Sequence, residues 1–179
     1  MSTTTPLRAS EIAVGDELPP FTLNLTSTMV VAGAIASRDF MPAHHDPAYA
    51  KAQGAPDIFM NILTTNGLVG RYITDWAGPN AVLESVKIRL GAPNYPGDTM
   101  RLTGSVIEKA DGVVVVGIRG ANSLGDHVTG TVALALPDPP ISWSADADDA
   151  GSKAAKKAAK KAAKKKSKKS KHSKKKAKK

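Results

Sequence analysis

The stretch that decides the fold runs from residue 58 to residue 76 and reads IFMNILTTNGLVGRYITDW. Its apolar side chains recur three and four residues apart, which predicts an α-helix of about five turns. Apolar groups also occur on most sides of this helix, a pattern typical of a helix that is enclosed by other structure. A sheet that curls around the helix would provide such an enclosure.

Segments on both sides of this helix alternate apolar and polar residues, which is the signature of half-buried strands. One such segment precedes the helix, at residues 21–27. Four follow it, and the turn residues between them predict an antiparallel meander. These four are residues 81–90, 100–109, 113–123 and 127–136. The whole pattern predicts an α+β fold in which an antiparallel sheet surrounds one long helix.

Two shorter helices are expected between the first strand and the long helix. Thr28 can cap a helix with the sequence MVVAGAIASRDF. Pro42 should end that helix, because a proline disfavours helical backbone in the residue before it. Asp46 followed by Pro47 then predicts the cap and first turn of a second helix, PAYAKAQ.

The composition separates an acidic body from a basic tail. Residues from Gly151 onward contain 16 lysines and no acid, so residues 1–150 carry nine Lys and Arg against 16 Asp and Glu, a formal net charge of −7. The absence of cysteine excludes a disulfide framework, a thiolate metal site and a cysteine nucleophile. The first residues lack the pattern of a signal peptide, and no apolar run approaches membrane-spanning length. We therefore expect a cytoplasmic protein.

These shifts in composition predict three segments. Residues 1–137 form a folded domain, residues 138–150 a linker rich in proline and aspartate, and residues 151–179 a tail rich in lysine and alanine. Repulsion between the lysines should keep the tail largely unfolded until an anion neutralises it. The tail could bind nucleic acid, polyphosphate or an anionic surface without sequence choice. A dispensable solubilising extension would have the same composition.

Candidate catalytic residues lie in SRDFMPAHHDPAYAK, residues 37–51. Asp39 and His44 would point about 140° apart on an unbroken helix, so a helix alone would not bring them together. Pro42 lies between them and favours a turn that could place both side chains around one water. General acid–base catalysis needs that arrangement. Judged by spacing alone, a helix-terminal aspartate and a turn histidine are more often structural.

The segment DFMPAHHDPAYA, residues 39–50, resembles the hydratase motif of the MaoC-like, or (R)-specific enoyl-CoA hydratase, family. The matching positions are Asp39, Pro42, His44, Asp46, Tyr49 and Ala50. The resemblance covers roughly residues 12–137, including VGDELPPF and IRLGAPNYPGDTM. It implies the hot-dog fold, in which an antiparallel sheet wraps a long central helix. The family's asparagine before the proline is Met41 here, and its small residue before the aspartate is Arg38.

Further short peptides, among them NILT, TDWAGP and LGDHVT, are similar to the small subunits of actinobacterial steroid side-chain enoyl-CoA hydratases. This subgroup of the family acts on the shortened side chain of cholesterol. The resemblance implies a lyase that adds water to a 2-enoyl-CoA thioester in steroid degradation. It also implies a heteromer with a second MaoC-like chain, and a homodimer is the alternative.

The same resemblance implies roles for particular residues. Ionised Asp39 would orient and deprotonate the water, and His44 would hold this water and manage the proton delivered to Cα. Backbone N–H groups at the start of the central helix would stabilise the developing enolate oxygen. These are the N–H groups of Asp57, Ile58 and Phe59. No cofactor is implied, since CoA is part of the substrate, and no metal is required.

Other functions and plainer roles remain open. The chain could be a non-catalytic hot-dog subunit that completes a partner's pocket, or an acyl-CoA thioesterase. It could also be a binding protein that acts through its tail. Among the remaining polar residues, we expect a structural role for His127 and a partly buried turn position for His45. Asn66-Gly67 could bend the central helix or make room for a ligand, and we expect Gly67 to allow close packing as the plainer explanation.

Overall fold

The structure is a computed structural model that describes residues 7–136. The predicted linker and the predicted basic tail, residues 138–150 and 151–179, lie outside the described residues. A short 3₁₀ turn at Ala9–Glu11 precedes the first strand.

One antiparallel sheet and three α-helices make up most of the described residues. The strands are β1 (Glu17–Asn24), β2 (Val82–Leu90), β3 (Thr99–Ala110), β4 (Val113–Asn122) and β5 (Gly125–Ala135). The helices are α1 (Ser27–Ala36), α2 (Pro47–Ala52) and α3 (Ile62–Ala77), and a second 3₁₀ turn at Pro42–His44 lies between α1 and α2. Each predicted strand and helix is present, but the ends differ. The central helix begins at Ile62 rather than Ile58, and α1 is capped by Thr26 rather than Thr28.

The strand order differs from the predicted meander at one strand. The order across the sheet is β1-β3-β4-β5-β2, so β3, β4 and β5 form a meander while β2 pairs with β5. The segment after β2 stays beside β5, since the N–H of Gly91 donates to the carbonyl of His127 at 2.8 Å. Residues 91–98 then lead to β3, and this connection is longer than a tight hairpin requires. It can therefore carry the chain across the sheet.

The core lies between α3 and one face of the sheet. Val69, Tyr72 and Ile73 of α3 are buried and belong to the same apolar cluster as the inward residues of the strands. Those strand residues include Leu102, Val116, Val132 and Leu134, all fully buried. Each buried aliphatic side chain of this kind contributes roughly 1.5–3 kcal/mol to stability. This burial holds the start of α3 in a fixed place relative to the sheet.

Gly33 allows α1 to approach α3 closely. A Cβ atom at this position would lie 2.9 Å from Cγ2 of Thr64, near the start of α3, closer than packed carbon atoms come. Gly67 is different, because a Cβ there would meet nothing within 4 Å. The expectation that Gly67 allows close packing is therefore wrong, and the close contact is made by a glycine on the other helix.

We predict that Gly33→Ala destabilises the fold by about 1–3 kcal/mol, because the added methyl group overpacks the contact between α1 and α3. Gly67→Ala is the matched control and should be neutral or stabilise by up to about 1 kcal/mol, through helix propensity alone. Urea unfolding followed by circular dichroism measures both. A Gly33→Ala protein as stable as the wild type would contradict the close contact.

Candidate active site

Asp39 follows α1 in a Schellman turn. The N–H of Asp39 donates to the carbonyl of Ala34 at 2.9 Å and the N–H of Arg38 to that of Ile35 at 3.0 Å, the two bonds that define this turn. Arg38 has a φ of 59°, the left-handed conformation that the turn requires and that glycine usually supplies. The helix ends at Ala36, so the expectation that Pro42 ends it is wrong.

Pro42 instead begins the 3₁₀ turn that carries His44, whose side chain is buried. Nδ1 of His44 lies 2.7 Å from the carbonyl oxygen of Phe59. A carbonyl can only accept a hydrogen bond, so Nδ1 carries the proton. The Nε2 atom of the neutral ring is then an acceptor. The ring of Phe59 also meets the imidazole edge to face, with centroids 5.0 Å apart.

The two turns bring Asp39 and His44 together, as the sequence predicted. Nε2 of His44 lies 3.5 Å from Oδ2 of Asp39, and the two side chains are 9% and 25% exposed. They open onto a cavity of about 280 Å³. The other lining residues are 59–61 just before α3, Ile62 at its first position, residues 90–93 from the end of β2 onward, and His127. Two proton acceptors therefore stand side by side at a cavity that water can enter.

Asn61 was not singled out from the sequence, although it holds the site together. Its side-chain amide donates to Oδ2 of Asp39 at 3.0 Å and to Oγ of Ser37 at 2.8 Å. Its Oδ1 accepts from the N–H of Thr64 at 3.0 Å, which caps α3. The hydrogen bond from Asn61, and after it one from the N–H of Met41, lowers the pKa of Asp39 below its ordinary value. Asp39 is therefore ionised at neutral pH.

His127 has partners that its sequence neighbourhood does not reveal. Its Nδ1 donates to the carbonyl of Ala92 at 2.7 Å, and the hydroxyl of Thr65 donates to its Nε2 at 2.8 Å. Burial lowers the pKa of this histidine, so the ring is neutral. His127 joins α3 to the segment after β2 and forms part of the cavity wall. The structural role that we expected for it is consistent with these bonds.

The N–H groups expected to stabilise an enolate occupy a different place from the predicted one. Residues 57–59 precede α3 rather than begin it. The N–H of Ile58 donates to the carboxylate of Asp57 at 2.8 Å, and that of Phe59 to the carbonyl of Ala43 at 3.4 Å. Of the three residues, Phe59 alone lines the cavity, and its carbonyl binds His44. The expectation that Asp57, Ile58 and Phe59 start the helix is wrong.

Two other polar residues of the motif, Asp46 and His45, lie outside the cavity. Asp46 caps α2, as predicted, by accepting from the N–H groups of Ala48 and Tyr49. His45 is exposed rather than partly buried.

Within residues 7–136, no group of three His, Asp or Glu side chains is placed to hold a metal ion. None of the helices described there has the length and apolar character needed to span a membrane.

The fold and the paired acid and histidine define a class of protein. The profile of the MaoC-like domain matches residues 13–123 of this chain, which therefore belongs to the MaoC-like family. The chain is 50% identical over 125 residues to the 3-oxo-4,17-pregnadiene-20-carboxyl-CoA hydratase beta subunit of Mycobacterium tuberculosis. This match covers 70% of the chain and 97% of that subunit.

Solved structures confirm the predicted hot-dog fold. A chain in the crystal structure of the ChsH1-ChsH2 complex from Mycobacterium tuberculosis superposes with a TM-score of 0.69 at 50% identity, covering 70% of this chain and 98% of that one. The R-hydratase PhaJ1 from Pseudomonas aeruginosa has the same TM-score at 23% identity, covering 74% of this chain and 86% of that one. At that identity the second likeness shows the fold alone.

We predict that His127 makes stability depend on pH below about 6.5, the ordinary histidine pKa. Its pKa is lowered in the folded protein, so the unfolded chain binds a proton that the folded one does not. Stability is therefore complete above this pH and falls as the pH drops below it. Urea unfolding of the wild type and His127→Gln between pH 8 and pH 5 measures the effect.

His127→Gln should be less stable at neutral pH but should lose less stability on acidification. His45→Gln, which changes an exposed histidine, is the control and should keep the wild-type slope. Equal slopes in all three proteins would contradict a buried neutral His127.

Proposed function

We propose that this chain is the catalytic subunit of an enoyl-CoA hydratase that adds water to a 2-enoyl-CoA thioester. The observation that carries the proposal is the 3.5 Å separation of Nε2 of His44 from Oδ2 of Asp39 at a cavity wall. Both atoms are hydrogen-bond acceptors when the histidine is neutral and the aspartate is ionised. One water placed between them would donate one hydrogen bond to each acceptor. A lone pair of the water oxygen would then be directed outward.

Proton transfer in this site would centre on His44. As the water oxygen bonds to Cβ of the enoyl group, one of its protons passes to Nε2 of His44. The Cα=Cβ electrons move towards the thioester carbonyl and form an enolate. The imidazolium then returns a proton to Cα, so the enzyme recovers its initial charge. Hydrogen bonds from Asn61 and the N–H of Met41 lower the pKa of Asp39 and so stabilise its ionised form. We therefore assign it the orientation of water and the stabilisation of the imidazolium rather than the deprotonation first expected.

The start of α3 offers donors for the enolate oxygen. The first N–H groups of an α-helix have no partner within the helix. The side chain of Asn61 takes up that of Thr64, which leaves the N–H groups of Ile62 and Leu63 at the positive end of the helix dipole. Ile62 lines the cavity beside the acid and histidine. A thioester carbonyl directed at these groups would gain negative charge where donors already point.

We further propose that the acyl group belongs to a steroid side chain and that a second MaoC-like chain completes the enzyme. The 50% identity to a named steroid-CoA hydratase subunit supports both parts, as does the likeness to a chain of a two-protein complex. Exposed apolar side chains also follow Asp39 in the chain and begin α3, where Ile62 lines the cavity. They are Phe40, Met41, Ile62 and Leu63, each about half or more exposed. A bulky apolar acyl group and a partner chain would cover this surface.

We predict that Asp39→Asn and His44→Gln each lower kcat/KM for hydration of a steroid side-chain enoyl-CoA by at least about 100-fold, because each removes one acceptor of the nucleophilic water. The variants are measured in complex with the partner chain, by loss of enoyl-thioester absorbance. Asp46→Asn is the matched control, because asparagine also caps a helix well and residue 46 lies outside the cavity.

Three outcomes separate the alternatives. Turnover retained by both Asp39→Asn and His44→Gln would mean that this chain only completes a partner's site. Release of free CoA thiol without a hydrated product would indicate a thioesterase. Activity without a second MaoC-like chain would favour a homodimer.

We also propose that the basic tail tethers the enzyme to nucleic acid. The 16 lysines from residue 151 onward have no acid among them, whereas the rest of the chain is negative. Binding that depends on lysine–phosphate contacts releases counterions and weakens steeply with salt. Body and tail would act independently, so the tail is not needed for hydration.

We predict that the full chain binds duplex DNA at low salt and that a chain ending at Ala150 does not. Affinity of the full chain should fall about 1,000-fold or more between about 50 and about 200 mM salt if six or more phosphates are contacted. Fluorescence anisotropy with labelled duplexes measures both chains, and polyphosphate serves as a competitor. Equal binding by the truncated chain would contradict the proposal. So would binding of the full chain that does not weaken with salt.

A further inference from the structure

We propose that Asn61 is a positioning residue for hydration, whose side-chain amide fixes the carboxylate of Asp39 in the orientation that faces His44. The inference rests on the proposed function, because it concerns the geometry of the same acid and histidine. Asn61 does not contact the reacting atoms in this proposal and acts through Asp39.

The position of Asn61 is determined by three hydrogen bonds and by burial. Its two amide hydrogens go to Asp39 and Ser37, at 3.0 and 2.8 Å, and its oxygen accepts from Thr64. The residue is 2% exposed, so water cannot replace these partners. The amide orientation is settled as well, because a carboxylate needs a donor and a backbone N–H needs an acceptor. Asn61 therefore cannot turn away from Asp39 without leaving buried polar groups unpaired.

Ser37 completes the arrangement from the side of α1. Its hydroxyl donates to the carbonyl of Gly33 at 2.7 Å, so its oxygen is free to accept from Asn61. Asn61 thus joins the end of α1, the catalytic carboxylate and the first turn of α3. The N–H of Met41 holds the other carboxylate oxygen at 3.3 Å. With both oxygens bound, Asp39 keeps one orientation relative to Nε2 of His44.

The amide also favours the ionised form of Asp39, since a donor stabilises a carboxylate more than the neutral acid. Its hydrogen bond is the largest of the influences that lower the pKa of Asp39. The ionisable side chains that share the described cavity with Asp39 are His44 and His127. His127 is held between Ala92 and Thr65 rather than facing Asp39. Asn61 is therefore a neutral group with a specific effect on the charge of the site.

The test is Asn61→Asp, which keeps a good helix cap but replaces the donor with a second carboxylate beside Asp39. We expect kcat/KM for hydration at neutral pH to fall by roughly 10- to 100-fold, the range expected when a hydrogen bond to a charged group is lost. The acid limb of the kcat/KM profile should move to higher pH, because two carboxylates at this distance resist joint ionisation. Asn66→Asp, at an exposed position of the same helix, adds the same charge as a control and should leave rate and profile unchanged.

A second variant covers the case in which Asn61→Asp does not fold. Asn61→Ser keeps a capping oxygen but is too short to reach Asp39. It should lower kcat/KM, and the acid limb of its kcat/KM profile should move to higher pH by less than that of Asn61→Asp. An unchanged rate and pH profile in whichever of these variants is folded would overturn the proposal. Asp39→Asn, measured beside them, separates a failure of the proposed function from a failure of the role of Asn61. If Asp39→Asn keeps full turnover, the proposed function fails, whereas inactive Asp39→Asn with a normal Asn61→Asp overturns the role of Asn61 alone.

Discussion

The hydrogen bond between Nδ1 of His44 and the carbonyl oxygen of Phe59 is the interaction on which the site depends. It fixes the place of the imidazole and decides which nitrogen carries the proton. Nε2 is left as an acceptor 3.5 Å from the carboxylate of Asp39. The same bond ties the short turn at Pro42–His44 to the chain just before α3. The chemistry of the site thus depends on the burial of α3 against the sheet.

The strands could be predicted from the sequence because alternation of apolar and polar residues is a local signal. Their order could not be predicted in full. Whether β2 pairs with β3 or β5 depends on contacts such as that of Val86 with Val132, which lie far apart in the chain. The helix ends were less predictable for a related reason. Arg38 closes α1 in a left-handed conformation that few residues other than glycine adopt. An arginine at this position does not mark a helix end in the sequence as a glycine would.

At the site, the motif led to Asp39 and His44 but not to the residues that hold them. Asn61 is 22 residues from Asp39 and reads as an ordinary polar residue within a helical pattern. Thr65 and His127 are 62 residues apart. Supporting contacts of this kind are formed by the fold, whereas Asp39 and His44 lie only five residues apart in the sequence. One signal was present, because asparagine is a common helix cap. Recognising Asn61 as the cap would have moved the predicted start of α3 to Ile62.

The central claim is that His44 presents a bare Nε2 beside an ionised Asp39, so that one water can donate to both. Nitrogen NMR of the ¹⁵N-histidine-labelled protein at neutral pH tests it most directly, with His44 assigned by comparison with His44→Gln. We predict a protonated Nδ1 and an unprotonated Nε2 for this residue. A proton on Nε2 of the neutral ring would contradict the account, because that nitrogen could then no longer accept a proton from water.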